Sequence, residues 1–131
     1  LRQHSAASAL AEARTCYDHL AGRRGVELRD RLLAAGALRV AGDRDHVLTA
    51  RGEQLVSGLG VDLAGLGASR REFARACLDW TQRRPHLAGA LPAAVTARFL
   101  AVGWLTRGAS RTVRAAPDYD DRLAAWLTSG A

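Results

Sequence analysis

Apolar positions recur at three- and four-residue steps through most of the chain. Leu10, Ala13, Tyr17 and Leu20 predict one long helix over residues 5–22, which Ser5 can cap and no Gly or Pro interrupts before Gly22. After Gly25 the stripe Leu28, Leu32, Ala35 predicts a second helix over 27–35, closed by Gly36 where a left-handed residue is needed. Leu38-Arg39-Val40 and Val47-Leu48 flank the polar tip Gly42-Asp43-Arg44-Asp45, the pattern of a short hairpin, and Thr49 caps a helix running through Val56. Residues 57–69 are rich in Gly and Leu and poor in charge, a linker whose Val61, Leu63 and Leu66 pack on the body. A helix from Arg70 through Trp80 and Arg83, interrupted by Pro85, starts a second series. Leu91, Val95, Phe99 and Val102 stripe a helix that Pro92 opens and Gly103 closes. Trp104-Leu105 and Thr112-Val113 form another hairpin. Asp118 to Leu127 is a closing helix, with Leu123 and Trp126 inward and Asp118, Asp120 and Asp121 in its first turn.

The two series share a text. His19-Leu20-Ala21-Gly22 returns 67 positions later as His86-Leu87-Ala88-Gly89, and in that register Arg31, Leu33, Ala34, Gly36 and Leu38 match Arg98, Leu100, Ala101, Gly103 and Leu105. Upstream, Arg14, Cys16 and Asp18 return as Arg75, Cys77 and Asp79 at a shorter offset, so the second copy holds six extra residues between its Asp and its His. Repetition of this kind predicts two copies of one unit packed about a pseudo-twofold axis. The expected fold is mainly α with short β-hairpins, in the α+β class, built as two tandem degenerate winged-helix-like repeats. Residues 1–131 are expected to form a single domain, with repeat one at about 5–57, a linker at 58–69 and repeat two at about 70–131.

Composition narrows the function. The 131 residues carry a net charge of +6, all of the basic residues being Arg, yet the arginines are dispersed among 13 acids and form no run. That charge adds only slight weight to a nucleic-acid partner. Two cysteines without a dense framework or secretory signal predict a reducing cytoplasm, and no apolar run nears the ~20 residues of a membrane span. The chain starts at Leu1 and contains no Met, so it is expected to be a piece of a longer protein.

A DNA-reading winged helix needs base-reaching side chains on the helix after its turn and cationic charge on its hairpin. Glu27 and Asp30 offset Arg29 and Arg31 on the first candidate helix, the first hairpin tip is acidic, and the second candidate helix offers only Thr96 and Arg98. Arg107, Arg111 and Arg114 of the second hairpin are the candidate DNA contacts.

Chemistry concentrates in the repeated stretch. Cys16 and His19, three apart on the predicted helix, share a face and could hold two corners of a metal site. Cys77 and His86, nine apart across Pro85, could join them only if their elements fold back on each other. Zn²⁺ on these four residues, a Cys16–Cys77 redox pair, and two buried packing cysteines all remain open, and no resident cofactor is expected beyond that possible zinc. Arg14 with Asp18, and Arg75 with Asp79, have helix-face ion-pair spacing. Each Asp could also orient a ring N–H, which makes Asp18, Asp79 and the neighbouring Trp80 ligand or sensor candidates. Phe73, Trp80 and Trp104 could line an apolar pocket. No phosphate loop, nucleophile elbow or triad order is present, so no enzyme activity is expected.

The stretches Arg14-Thr15-Cys16-Tyr17-Asp18-His19-Leu20-Ala21-Gly22 and Arg75 to Leu91 resemble the C-terminal half of a group of bacterial ArsR-type transcriptional regulators. Leu48-Thr49-Ala50-Arg51-Gly52 is similar to that family's step from wing to helix. The resemblance implies a cytoplasmic repressor, acting as a homodimer on operator DNA through a winged-helix domain that precedes this segment, and released by a small-molecule or metal effector. It carries no metal ligand over to Cys16 or Cys77. The leading expectation is therefore a regulatory domain, effector-sensing or dimer-supporting, with direct DNA binding and metal or thiol sensing as alternatives.

Overall fold

The computed structural model describes residues 2–68 and 71–130, with side chains from Ser5 onward. Helix α1 (Arg2–Glu12) precedes a hairpin of β1 (Arg14–Cys16) and β2 (His19–Ala21), helix α2 (Gly22–Ala34), a hairpin of β3 (Leu38–Val40) and β4 (His46–Leu48), helix α3 (Ala50–Leu59) and the short α4 (Leu63–Gly67). The same order follows again: β5 (Arg75–Leu78) with β6 (Pro85–Ala88), α5 (Ala90–Ala101), β7 (Leu105–Arg107) with β8 (Val113–Ala115), and α6 (Tyr119–Thr128). The class is α+β: the described residues form helices and four small antiparallel hairpins.

The expected helices over 5–22 and 70–83 are not formed as such. In the first, the helix stops at Glu12 and the chain turns into β1–β2, with Tyr17 at φ +61° in a two-residue turn. In the second, Arg75–Leu78 pairs with Pro85–Ala88, and Pro85 stands at a strand start instead of breaking a helix. The expected linker contains α4, capped by Asp62 through the Gly65 N–H. Ends that depend on one residue match the sequence reading: Thr49 accepts from the Gly52 N–H at 3.0 Å, and Gly36 and Gly103 take φ of +72° and +80° just beyond α2 and α5. Both close as Schellman turns, the amides of Ala37 and Trp104 reaching back to Leu32 and Phe99.

The halves exchange their second hairpins. β4 of the first half lies against β5 of the second, His46 N–H donating to Ala74 O at 2.9 Å and Ala76 N–H to Arg44 O at 2.8 Å. Reciprocally the β7–β8 hairpin lies against β1, Thr15 N–H donating to Arg111 O at 2.8 Å and Val113 N–H to Ala13 O at 3.2 Å. The helices cross over too, α2 packing on β6 and α5 on β2. Thr96 on α5 is buried and its hydroxyl accepts the Leu20 N–H of β2 at 3.0 Å.

One apolar cluster spans both halves, from Leu28 and Leu32 through Leu55 to Leu91, Val95, Leu105 and Leu123. Trp104 belongs to it, its ring 4.7 Å from Phe99, which also meets Trp126 edge-on at 5.7 Å. Trp80 is instead 65% exposed and stacks over the Arg14 guanidinium at 4.5 Å. The expected pocket of Phe73, Trp80 and Trp104 therefore does not exist: Trp80 sits on a hairpin loop, and only core packing could have placed Trp104. Among the described residues no helix is long and apolar enough to cross a membrane.

Candidate functional site

The hairpins that replace the expected helices explain how four scattered residues meet. Cys16 pairs with His19 across β1–β2 and Cys77 with His86 across β5–β6, so each Cys and His are direct cross-strand neighbours. The separations of three and nine residues differ only in what the turn contains. β2 and β6 pack together, and Sγ of Cys16 and Cys77 and a ring nitrogen of His19 and His86 all lie within 4.8 Å of one another. His19 and His86 are buried, while the cysteines are half-buried at an open depression of about 370 Å³ that Tyr17, Arg71 and Arg75 also line. The Cys and His candidates thus come together, but on strands, which corrects the helix-face geometry expected for Cys16 and His19.

Asp79 organises one side of this cluster. It is fully buried, and its Oδ1 accepts from the Thr81 hydroxyl at 2.6 Å, the Thr81 N–H at 3.0 Å and Arg14 at 3.3 Å. Its Oδ2 accepts from the Gly22 N–H at 2.6 Å and from His86 Nδ1 at 2.9 Å. Gly22 opens α2, so the carboxylate of one half occupies the positive end of a helix in the other. Burial alone would raise the Asp79 carboxyl, but the Thr81, Gly22 and Arg14 donors outweigh it and hold the group well below the usual carboxylate range. The buried Arg14 also donates to Leu10 O and Thr81.

This network corrects the expected ion pairs within each copy. Arg14 pairs with Asp79 of the other half, Asp18 with Arg71 at 2.6 Å, and Arg75 with Glu72 at 2.6 Å. Helix spacing suggested the wrong partners because these residues lie on strands and turns. Thr81 and Gln82, which reaches Ala11 O at 3.2 Å, are participants the sequence reading missed. The six-residue excess of the second copy was the signal that could have found them.

Burial favours the neutral form of both imidazoles. Burial, then the nearby His86, lowers His19 to about 4, and burial also lowers His86 against the opposing pull of Asp79. Because an ionised Asp79 can only accept, the His86 proton sits on Nδ1 and its Nε2 presents a lone pair. His19 Nε2 lies 3.2 Å from that atom and must carry the proton between them. His19 Nδ1 is then left bare, buried and without a hydrogen-bond partner, 3.7 Å from Asp18 Oδ1. Burial and the neighbouring Cys77 raise the Cys16 thiol, favouring its protonated form. Two sulfurs and two facing Nε2 atoms are a donor set able to hold a borderline-soft metal ion, and the two thiols could alternatively oxidise.

The DNA candidates lie elsewhere. Arg107, Arg111 and Arg114 are exposed on the β7–β8 hairpin, whose backbone is engaged by β1. Helix α5, which follows the β5–β6 hairpin, buries Leu91, Pro92, Val95, Thr96 and Phe99.

No protein-family model matches the chain, and no solved structure matches it. Over 95 residues it is 43% identical to the "Uncharacterized HTH-type transcriptional regulator YdfF" of Bacillus subtilis (strain 168), an alignment covering 72% of this chain and 42% of that protein. The chain thus spans less than half the length of a curated relative, and that relative is a transcriptional regulator.

Proposed function

We propose that this chain is the regulatory part of an ArsR-type bacterial transcriptional regulator, a degenerate duplication that supports dimerisation and effector sensing while another part of the full protein reads operator DNA. The reciprocal docking of the two wing-like hairpins carries this reading. Each is bound by backbone hydrogen bonds to the first hairpin of the opposite half, so both serve cohesion between the halves. Burial of α5 removes the surface a recognition helix would present. In the cell the regulator works in the cytoplasm as a homodimer, without a membrane, and a small-molecule or metal effector adjusts its hold on DNA. Selection of this chain against a randomised duplex library at physiological salt tests the division of labour. Enrichment of no sequence is expected, and recovery of a consensus site would overturn it.

A second reading draws on the exposure of Arg107, Arg111 and Arg114, which could lie along a phosphate backbone as a DNA-binding wing. It predicts that Arg107→Ala with Arg111→Ala weakens duplex binding and flattens its salt dependence.

A further inference from the structure

We propose that Cys16, His19, Cys77 and His86 bind one divalent cation of the zinc class in a tetrahedral S₂N₂ site that ties the first hairpins of the two halves together. Two thiols and two imidazoles suit such an ion, and a carboxylate-free set disfavours Mg²⁺ and Ca²⁺. Zn–N bonds of about 2.0–2.1 Å put the two nitrogens of a tetrahedron roughly 3.3–3.4 Å apart. The Nε2 atoms of His19 and His86 already stand 3.2 Å apart. The widest separation in the group, at most 4.8 Å, exceeds the ~3.8 Å sulfur–sulfur edge of such a site by about 1 Å, a closure within reach of side-chain rotation.

Three observations point to an ion. The first is the bare, buried Nδ1 of His19. With a cation between the rings, the proton that sits on His19 Nε2 moves to Nδ1, where it faces the Asp18 carboxylate, and the orphaned atom becomes a donor. The second is Asp79, which fixes the His86 tautomer through Nδ1 and aims Nε2 inward, the carboxylate–histidine arrangement that orients metal ligands. The third is access: the half-buried sulfurs border a depression open to solvent, an entry path for the ion. Binding balances as one cation taken up and two thiol protons released, with the thiolates neutralising the added charge.

Cobalt(II) titration of the reduced full chain tests the site. Expected are intense visible bands of tetrahedral cobalt and a thiolate-to-cobalt charge-transfer band, saturating at one equivalent and abolished by zinc. Cys16→Ser and Cys77→Ser should each cut the charge-transfer intensity to about half, because one thiolate remains, and weaken affinity at least tenfold, with far-UV dichroism unchanged. The wild-type spectrum decides the matter even if a variant misfolds. A weak six-coordinate spectrum, retention of full charge transfer in both variants, or reduced protein that takes up no metal and merely closes a Cys16–Cys77 disulfide in air would each overturn the proposal. The site does not depend on the regulatory reading, and that the ion is the effector does. Metal uptake and library selection are separate assays, so a chain that binds cobalt as described yet enriches a DNA sequence would keep the site and lose the regulator.

Discussion

Asp18 and Asp79 hold equivalent places two residues beyond a cysteine, and their fates differ completely. Asp18 belongs to a two-residue turn, has a half-exposed side chain and pairs with Arg71 at the surface. Asp79 opens a longer loop that folds over the first half, and it ends fully buried with five donors around it, two of them, Arg14 and Gly22, from the opposite half. The histidines follow. His86 is oriented by a hydrogen bond of 2.9 Å to Asp79, whereas His19 Nδ1 lies 3.7 Å from Asp18 and is unpartnered. One half supplies an imidazole oriented by a buried carboxylate and the other an imidazole without such a partner. Six inserted residues are enough to separate the roles, because they decide whether a carboxylate can reach the start of the neighbouring half's helix.

That asymmetry can be broken from its strong side. Asp79→Ala leaves the buried Arg14 charge and the Gly22 N–H without their acceptor and should cost about 3–5 kcal/mol, read as a shift of the urea midpoint. A loss below ~1 kcal/mol would mean that water replaces the carboxylate and that the hub is dispensable.

The helices test the exchange between halves. Thr96→Val on α5 keeps the side-chain shape but leaves the Leu20 N–H of β2 unpaired in a buried site, at an expected cost of about 1–3 kcal/mol by the same measurement. A neutral result would show that α5 and β2 are held by apolar packing alone.

Position 46 distinguishes the two wing-like hairpins, since a buried His46 occupies the strand start that Val113 fills in the other. His46 Nδ1 donates to Arg44 O, and its Nε2 accepts from Arg29. Burial lowers its protonation range, with Arg29 opposing a proton and Asp45 and the Arg44 carbonyl favouring one. The folded state therefore binds a proton less readily than the unfolded chain. Its stabilising contribution is complete above about pH 6.5 and is lost as the pH falls toward the lowered folded value, with a slope of at most about 1.4 kcal/mol per pH unit. Urea midpoints of wild type minus His46→Val, measured across that interval, isolate this dependence from that of the other histidines. A difference independent of pH would remove His46 from the account.

Asp18→Ala should be the mildest change, about 0–1 kcal/mol by urea titration, because a surface pair with Arg71 is screened by water. A loss as large as that of Asp79→Ala would erase the comparison between the halves.

Elements closed by a single decisive residue were legible in the sequence. Thr49, Gly36 and Gly103 mark their helix ends because capping and left-handed geometry are local demands. The hairpins at 38–48 and 104–113 were legible from short apolar runs around a polar tip, although the second forms slightly later, as Leu105–Arg107 with Val113–Ala115. The first hairpin of each half was not. β1 and β2 have three residues each, too few for alternation to show, and Leu10, Ala13, Tyr17 and Leu20 imitate helical spacing across the break at Glu12. The site inherited that error: spacing alone made Cys16 and His19 helix neighbours and left Cys77 and His86 apart.

By itself, then, the sequence determined the α+β character, the doubled His-Leu-Ala-Gly text and the helix ends, since each depends on backbone preferences within a few residues. Gly22 and Gly89 combine both kinds: their φ of +77° and +116° is a local backbone preference, whereas the carbonyls of Ala11, Glu72 and Phe73 that a Cβ would meet within 2.8 Å are brought there by the fold. Only the tertiary structure decided that the second hairpins dock on opposite halves, that Arg14 answers Asp79, and that two cysteines and two histidines meet. Those outcomes depend on which hairpin lies against which, a choice made by burial of both halves in a common core and invisible to any local pattern.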